Sequence, residues 1–337
     1  MNSRTLKKAV LVSSLLCLSG AAHAEWITRI TDGIMGTRIT VELWSDDKTK
    51  AEQGIDAVLE EMRHIDNSMS TYKPTSEVSQ VNAKAAAGPM HISKELFDLL
   101  TTAKEYSELT DGAFDITYAS VGYLYDFRRH IHPDEAQIDR ALPAVNFRHV
   151  LLDARNRTVK FSRKGVRIDL GGIAKGYSVD RGIDVLKARG FTRAYVSAGG
   201  DSRIIGDRFG KPWIVGIRDP RKGEGKVITQ IPLADAAIST SGDYERFFEE
   251  DGVRYHHIID PHTGHSASKV LSATVIGSYA TRTDGLSKTA FVLGPEKAME
   301  IYNRIDDIDA IIVKLDGSVI YSKGIEPAKG SARKLDK

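Results

Sequence analysis

The chain has one cysteine in 337 residues, Cys17, and it lies inside the first apolar stretch. A chain so poor in thiols has no disulfide framework, no zinc–thiolate centre and no cysteine nucleophile, and it suits an oxidising compartment. Long hydrophobic runs are missing too. The run "AVLVSSLLCLSGA" is too short to span a bilayer, and nothing after it is apolar for longer. Charge of one sign is not clustered: the formal net charge is +2, and no like-charge block precedes the terminal "KGSARKLDK". Nucleic acid is thereby excluded as a partner, because binding a phosphate backbone needs a gathered basic face. Several catalytic signatures are absent as well. There is no GxSxG elbow, no HExxH zinc motif, and neither the GxxxxGK[ST] nor the GxGxxG nucleotide loop.

What is present begins at the N-terminus. Arg4, Lys7 and Lys8 precede the apolar run, and "AHA" (22–24) closes it with small residues, the pattern of a secretory signal cut after Ala24. Leu16 is bulky where a lipoprotein signal needs a small residue before Cys17. The expectation is a soluble periplasmic protein, not a lipid-anchored one. Losing three basic residues leaves a net charge of about −1 on about 313 residues, enough for one large or two modest cores. The expected organisation is a signal peptide over 1–24, one domain over 25–325 and a solvated basic tail over 326–337.

Periodicity supplies the elements. Ile39, Val41 and Leu43 alternate with polar residues as in a half-buried strand, and Ile55, Val58, Leu59, Met62 and Ile65 recur at helical spacing. "TYKPTSEVSQVN" reads as a surface loop leading into a short turn, and Ser93 caps a helix that stops at Asp111-Gly112. "VLLDARNRTVKF" and "AIIVKLDGSVIYS" read as hairpins. In "VRIDLGGIAKGYSVDRG", Val166 and Ile168 suggest a strand that breaks on glycines and resumes as a helix ending at Gly190. Short strands separated by glycine turns follow, then a helix start around Asp284 and a helix opened by Pro295. Strands outnumber helices and hairpin-length turns abound, which predicts an α+β fold with largely antiparallel sheets and no doubly wound domain.

Three glycine turns each present a polar group. Gly171, Gly172 and Gly176 flank Lys175; Gly199 and Gly200 precede Asp201; Thr240 and Gly242 precede Asp243. Main-chain amides freed at such turns can hold an anion, although any one such turn more often serves tight packing. "RYHHIIDPHTGHS" puts His257 and Asp260 near a strand end, suited to proton transfer or to a plain turn. Asp284, among Thr283, Ser287 and Thr289, suits either the helix dipole or a hard cation such as Mg²⁺.

Taken together, "MGT" (35–37), "MSTYKPTSEVSQVN" (69–82), "DGAFDIT" (111–117), "DLGGIAKGYSVD" (169–180), "VSAGGD" (196–201), "ISTSGDYER" (238–246), "HHIIDPHTG" (256–264) and "TDGLSKTAFVLG" (283–294) resemble the ApbE family of FAD:protein FMN transferases. The resemblance implies FAD as substrate, Mg²⁺ or Mn²⁺ as cofactor, and transfer of FMN to a threonine or serine hydroxyl with release of AMP. It implies acceptors among the exported domains of membrane redox complexes: sodium-pumping NADH:quinone reductase (Nqr), Rnf, and the regulator of nitrous oxide reduction. Met35, Tyr72, Asp115, Lys175, Gly199, Gly200 and Asp201 fall on the family's flavin-nucleotide pocket, and Thr240 and His257 lie close to the diphosphate. The Ala174 carbonyl and Asp284 match the metal ligands. Asp243, His257 and Asp260 are candidate bases. One position departs from the family: where threonine or serine is common, four residues after the aspartate, this chain has Lys288, with Thr289 one step on. Two readings follow, a simple i,i+4 ion pair, or an ammonium that competes with a cation or touches the diphosphate. The alternatives to transfer are a metal-dependent FAD pyrophosphatase yielding FMN and AMP, and a non-catalytic periplasmic flavin-binding protein.

Overall fold

The computed structural model describes residues 24–222 and 225–325. The expected signal peptide, Ala24 apart, and the basic tail lie outside the described residues. Eight strands form one sheet whose spatial order follows the chain: Glu25–Ile34, Thr37–Ser45, Ala194–Ala198, Asp201–Ile205, Ala237–Gly242, Val270–Gly277, Asp309–Lys314 and Val319–Tyr321. Every neighbouring pair is antiparallel. The expected α+β class with antiparallel sheets is what the chain adopts. Alternation explains the second strand, where Ile39, Val41 and Leu43 are fully buried while Arg38 is exposed.

The helices Lys48–Met69 and Ala174–Ala188 cover one face of this sheet and share a core with it. Asp47 caps the first of them by accepting the Lys50 N–H at 2.9 Å. The five apolar residues picked out by helical spacing are all buried in it, each contributing about 1.5–3 kcal/mol of transfer free energy. Residues 70–170 form a second layer, in which the helices Glu77–Lys84 and Lys94–Leu109 pack with a three-stranded sheet around their own apolar cluster. Ser93 caps the longer helix through the Leu96 N–H at 3.1 Å, and both expected hairpins are present. Among the described residues no helix is long and apolar enough to cross a membrane.

Three local expectations fail. The stretch read as loop and turn contains a helix, Glu77–Lys84, because Ser76 caps it through the Ser79 N–H at 3.0 Å and Val78 and Val81 bury one face. Val166 and Ile168 belong to no strand. Both main-chain groups of Ile168 are instead satisfied by the Asn82 amide, which accepts from its N–H at 2.8 Å and donates to its carbonyl at 2.9 Å. One side chain thus does for this segment what a neighbouring strand would do. Asp284 does not open a helix either; it is the fifth residue of Ala280–Leu286, so the helix-dipole explanation for its carboxylate falls away.

Candidate active site

Leu170 and Asp169 build the glycine turn. The Leu170 carbonyl accepts from Ile173 N at 2.9 Å and Ala174 N at 2.7 Å, closing the turn into the helix Ala174–Ala188. Asp169 Oδ1 accepts the Gly171 N–H at 2.7 Å and the Tyr118 hydroxyl at 3.1 Å, while Oδ2 accepts the Thr71 hydroxyl at 2.7 Å. Gly176 has a different task from the one its place in the sequence suggests. A Cβ there would lie 2.1 Å from the Ala280 carbonyl oxygen and 2.7 Å from Asp284 Cβ. The residue is glycine so that the helix Ala280–Leu286 can cross at backbone contact, not to ease the turn. Its N–H donates to Asp284 Oδ2 at 3.0 Å. Asp180 fixes the start of the crossing helix, accepting from Ala280 N at 2.9 Å, Thr281 N at 2.8 Å and the Thr281 hydroxyl at 2.6 Å, with Arg203 on its other side at 3.0 Å.

This crossing gathers four charged groups. The Lys175 ammonium pairs with Asp201, and the Lys288 ammonium pairs with Asp284. Both carboxylates are almost wholly buried. Burial pushes Asp284 upward, but Lys175, Lys288 and the Gly176 amide outweigh it and hold the carboxyl below the ordinary range. Asp201 moves the other way, raised by burial and by the nearby Asp284 charge. Burial disfavours the charged form of Lys175, and the two carboxylates reverse that and raise it. His257 faces the same cations: burial, then His256, Arg246, Lys175 and Lys288, pull it down to about 3. Its imidazole is therefore neutral at physiological pH. Its Nδ1 is buried and has no partner among the described residues, as expected of a polar atom facing a ligand's place.

The other expected pocket residues divide. Gly199 has φ +64°, and a Cβ there would meet the Thr37 hydroxyl at 2.7 Å; Gly200 would press on the Thr240 carbonyl at 2.7 Å. These two glycines thus bring "MGT", "AGGD" and "STSGD" side by side. The Thr240 hydroxyl bonds Thr274 at 2.9 Å. Met35 is half-buried beside both large cores, with φ +53°, and Tyr72 stands 83% exposed on the loop above Asp169. Asp115 is buried, with its oxygens engaged by Thr117 N at 2.8 Å, the Thr117 hydroxyl at 2.6 Å and Phe147 N at 2.7 Å, so it braces the chain. Arg246 was not singled out in the sequence. It reaches the Gly36 carbonyl at 3.4 Å and acts electrostatically on both Lys175 and His257. Asp169 and Asp180 were also passed over, although both stand inside the "DLGGIAKGYSVD" stretch that carried the resemblance.

Of the three candidate bases, only His257 faces the cations. Asp243 is clamped by Arg221 through two bonds of 2.9 and 2.7 Å, with Arg254 at 3.5 Å. Asp260 holds its own turn, accepting from His262 N at 2.8 Å while its carbonyl accepts from Gly264 N at 2.8 Å. Next to His257, His256 is drawn down to about 4, mainly by burial. An unfolded histidine binds its proton nearer 6.5, so the unfolded state gains protons first and His256's contribution is lost as pH falls from about 6.5 towards 4. The full loss is about 3 kcal/mol. In urea unfolding, the stability gap between wild type and His256→Gln should therefore narrow from pH 7 to pH 4.5; a constant gap would contradict the assignment.

At Asp284, an expected divalent-ion ligand, the cation in place is an ammonium. Lys288 Nζ donates to the Asp284 carbonyl at 2.7 Å and to the Gly172 carbonyl at 3.1 Å, besides its bond to Asp284 Oδ1. The converging oxygens are thus held by an ammonium, and as they stand they do not fit a divalent ion. The carbonyl brought to them is that of Gly172, two residues before Ala174. Thr289 is buried in the next helix, and among the described residues no hydrogen bond joins it to Asp284.

Known proteins match this geometry over most of the chain. The ApbE family model matches residues 35–312. The FAD:protein FMN transferase of Treponema pallidum is 34% identical over 87% of this chain and 86% of its own length. That of Vibrio cholerae is 33% identical over 91% and 93%. Among solved structures, the ApbE protein of Thermotoga maritima superposes with a TM-score of 0.82 at 36% identity, covering 89% of this chain and 98% of that one. The flavin transferase ApbE from Vibrio cholerae gives 0.78 at 29% identity, over 89% and 98%. With its family segments in order and its fold shared, this chain belongs to the ApbE family.

Proposed function

We propose that this chain transfers FMN from FAD to a threonine or serine hydroxyl of an exported acceptor domain and releases AMP. The observation that carries the reading is the Lys175 ammonium, fixed at the mouth of a helix between two buried carboxylates and beside His257. FAD's diphosphate bears about two negative charges at neutral pH. Lys175, Lys288 and Arg246 supply the complementary field.

The acceptor oxygen attacks the phosphorus of the FMN half. The bond from that phosphorus to the bridging oxygen breaks, and AMP leaves with the bridging oxygen and its electron pair. The hydroxyl proton passes to a base. Neutral His257 is the group that suits this step, since a bound diphosphate would offset the surrounding cations and draw its pKa back up. Catalysis then comes from positioning and from charge placed in advance where charge develops. A divalent ion would polarise the diphosphate oxygens; because Lys288 holds the donors, no step here passes through one.

The reading includes export to the periplasm, supported by the signal pattern over 1–24, and acceptors of the membrane redox-complex type that the resemblance implies. One assay decides it. The protein freed of residues 1–24 is incubated with FAD and a candidate acceptor domain, and AMP release and acceptor mass are followed. AMP with an FMN-sized mass gain on the acceptor is expected. AMP with free FMN would make the chain a pyrophosphatase, and bound but intact FAD would make it a carrier.

A further inference from the structure

We propose that Lys288 is the resident cation of this site, standing where a divalent metal would bind, so that the chain engages FAD and transfers FMN without one. The inference rests on the FMN-transfer reading above. A lysine ammonium has three N–H donors. Here they meet Asp284 Oδ1, the Asp284 carbonyl and the Gly172 carbonyl, a set of oxygens of the kind a hard cation takes.

An ordinary surface ion pair does not describe this geometry. Lys288 follows Asp284 by one turn of helical backbone, but its head reaches past that local pair to a distant segment. Asp284 is fully buried and the Lys288 side chain is only 17% exposed. The third oxygen comes from Gly172, 116 residues away in sequence, and a Cβ on that glycine would lie 3.7 Å from Lys288 Cε. The lysine stem is thus seated against the glycine turn, and its head closes the gap between two segments that also flank Lys175.

Electrostatics argue in the same direction. A divalent ion at Asp284 would have to displace the ammonium and then sit among Lys288, Lys175 and Arg246. Asp201 offsets only one of these cations, Lys175, with which it is paired. With all three donors engaged by protein oxygens, Lys288 acts on a diphosphate through its field and does not ligate it. Its single charge is supplemented by Lys175 and Arg246.

The test compares wild type with Lys288→Thr, which removes the ammonium and restores a hydroxyl one helical turn from Asp284. Mn²⁺ binding is titrated by electron paramagnetic resonance with FAD present, and FAD binding is read separately by flavin fluorescence in EDTA and in Mn²⁺. Wild type should bind FAD equally well in both and hold Mn²⁺ at least about 100-fold more weakly than Lys288→Thr. The variant's FAD binding should depend on the metal. Wild type that takes up Mn²⁺ with FAD as tightly as the variant, or that loses FAD in EDTA, overturns the inference and leaves the proposed function standing. The wild-type measurements decide this even if the variant fails to fold. Wild type that ignores FAD with and without Mn²⁺ refutes the FMN-transfer reading itself, and the inference falls with it.

Discussion

Lys175→Met is expected to lose FMN transfer by about 10²–10³-fold, the usual cost of removing one fixed donor of charge stabilisation from an enclosed site. It should also unfold more easily. Asp201 is 2% exposed and pairs with this ammonium, and leaving such a carboxylate uncompensated costs about 3–5 kcal/mol. The two effects can be separated. Lys175→Met/Asp201→Asn removes the lone buried charge, so it should recover most of the stability in urea unfolding while transfer stays low. Asp201→Asn alone, which keeps the ammonium, gives the baseline for the second substitution. A double variant as active as that baseline would reduce Lys175 to a structural partner of Asp201.

Gly176→Ala is expected to destabilise the fold by about 3 kcal/mol or more, at the upper end of what overpacking costs. The sign is the informative part. Glycine to alanine inside a helix ordinarily gains about 1 kcal/mol. Here the new methyl group would stand 2.1 Å from the Ala280 carbonyl oxygen, and that oxygen belongs to the backbone of a second helix. No rotamer change relieves such a contact, so the helices must separate. Separation would also break the Gly176 N–H bond to Asp284 and the Lys288 bond to the Gly172 carbonyl. Urea unfolding of the purified variant measures the first effect and FAD fluorescence the second. A variant more stable than wild type would mean that the two helices do not cross this closely.

Much of the architecture was legible in the chain. The helix Lys48–Met69 showed itself through Ile55, Val58, Leu59, Met62 and Ile65, the strand Thr37–Ser45 through Ile39, Val41 and Leu43, and the final hairpin through Asp316-Gly317. Each signal is a repeat within a few residues, set by 3.6-residue or two-residue geometry. The misread segments lacked a signal of that kind. Ile168 looked like strand because its alternation is real, but its partner is the side chain of Asn82, 86 residues away. The helix Glu77–Lys84 is short and polar, and it rests on one cap and two buried valines.

The site divides along the same line. Sequence alone determined which residues carry charge, which turns are free of side chains, and the order of segments that marks the family. Tertiary structure decided how those residues pair: Lys175 with Asp201 across 26 residues, Gly176 with Asp284 across 108, and Lys288 with Gly172 across 116. It also turned Asp115, Asp243 and Asp260 to bracing and left His257 facing the cations. Spacing along a chain governs local geometry, because covalent links fix short distances. Contacts between distant segments depend on how closely whole helices approach, and here that approach was set by one missing methyl group at Gly176.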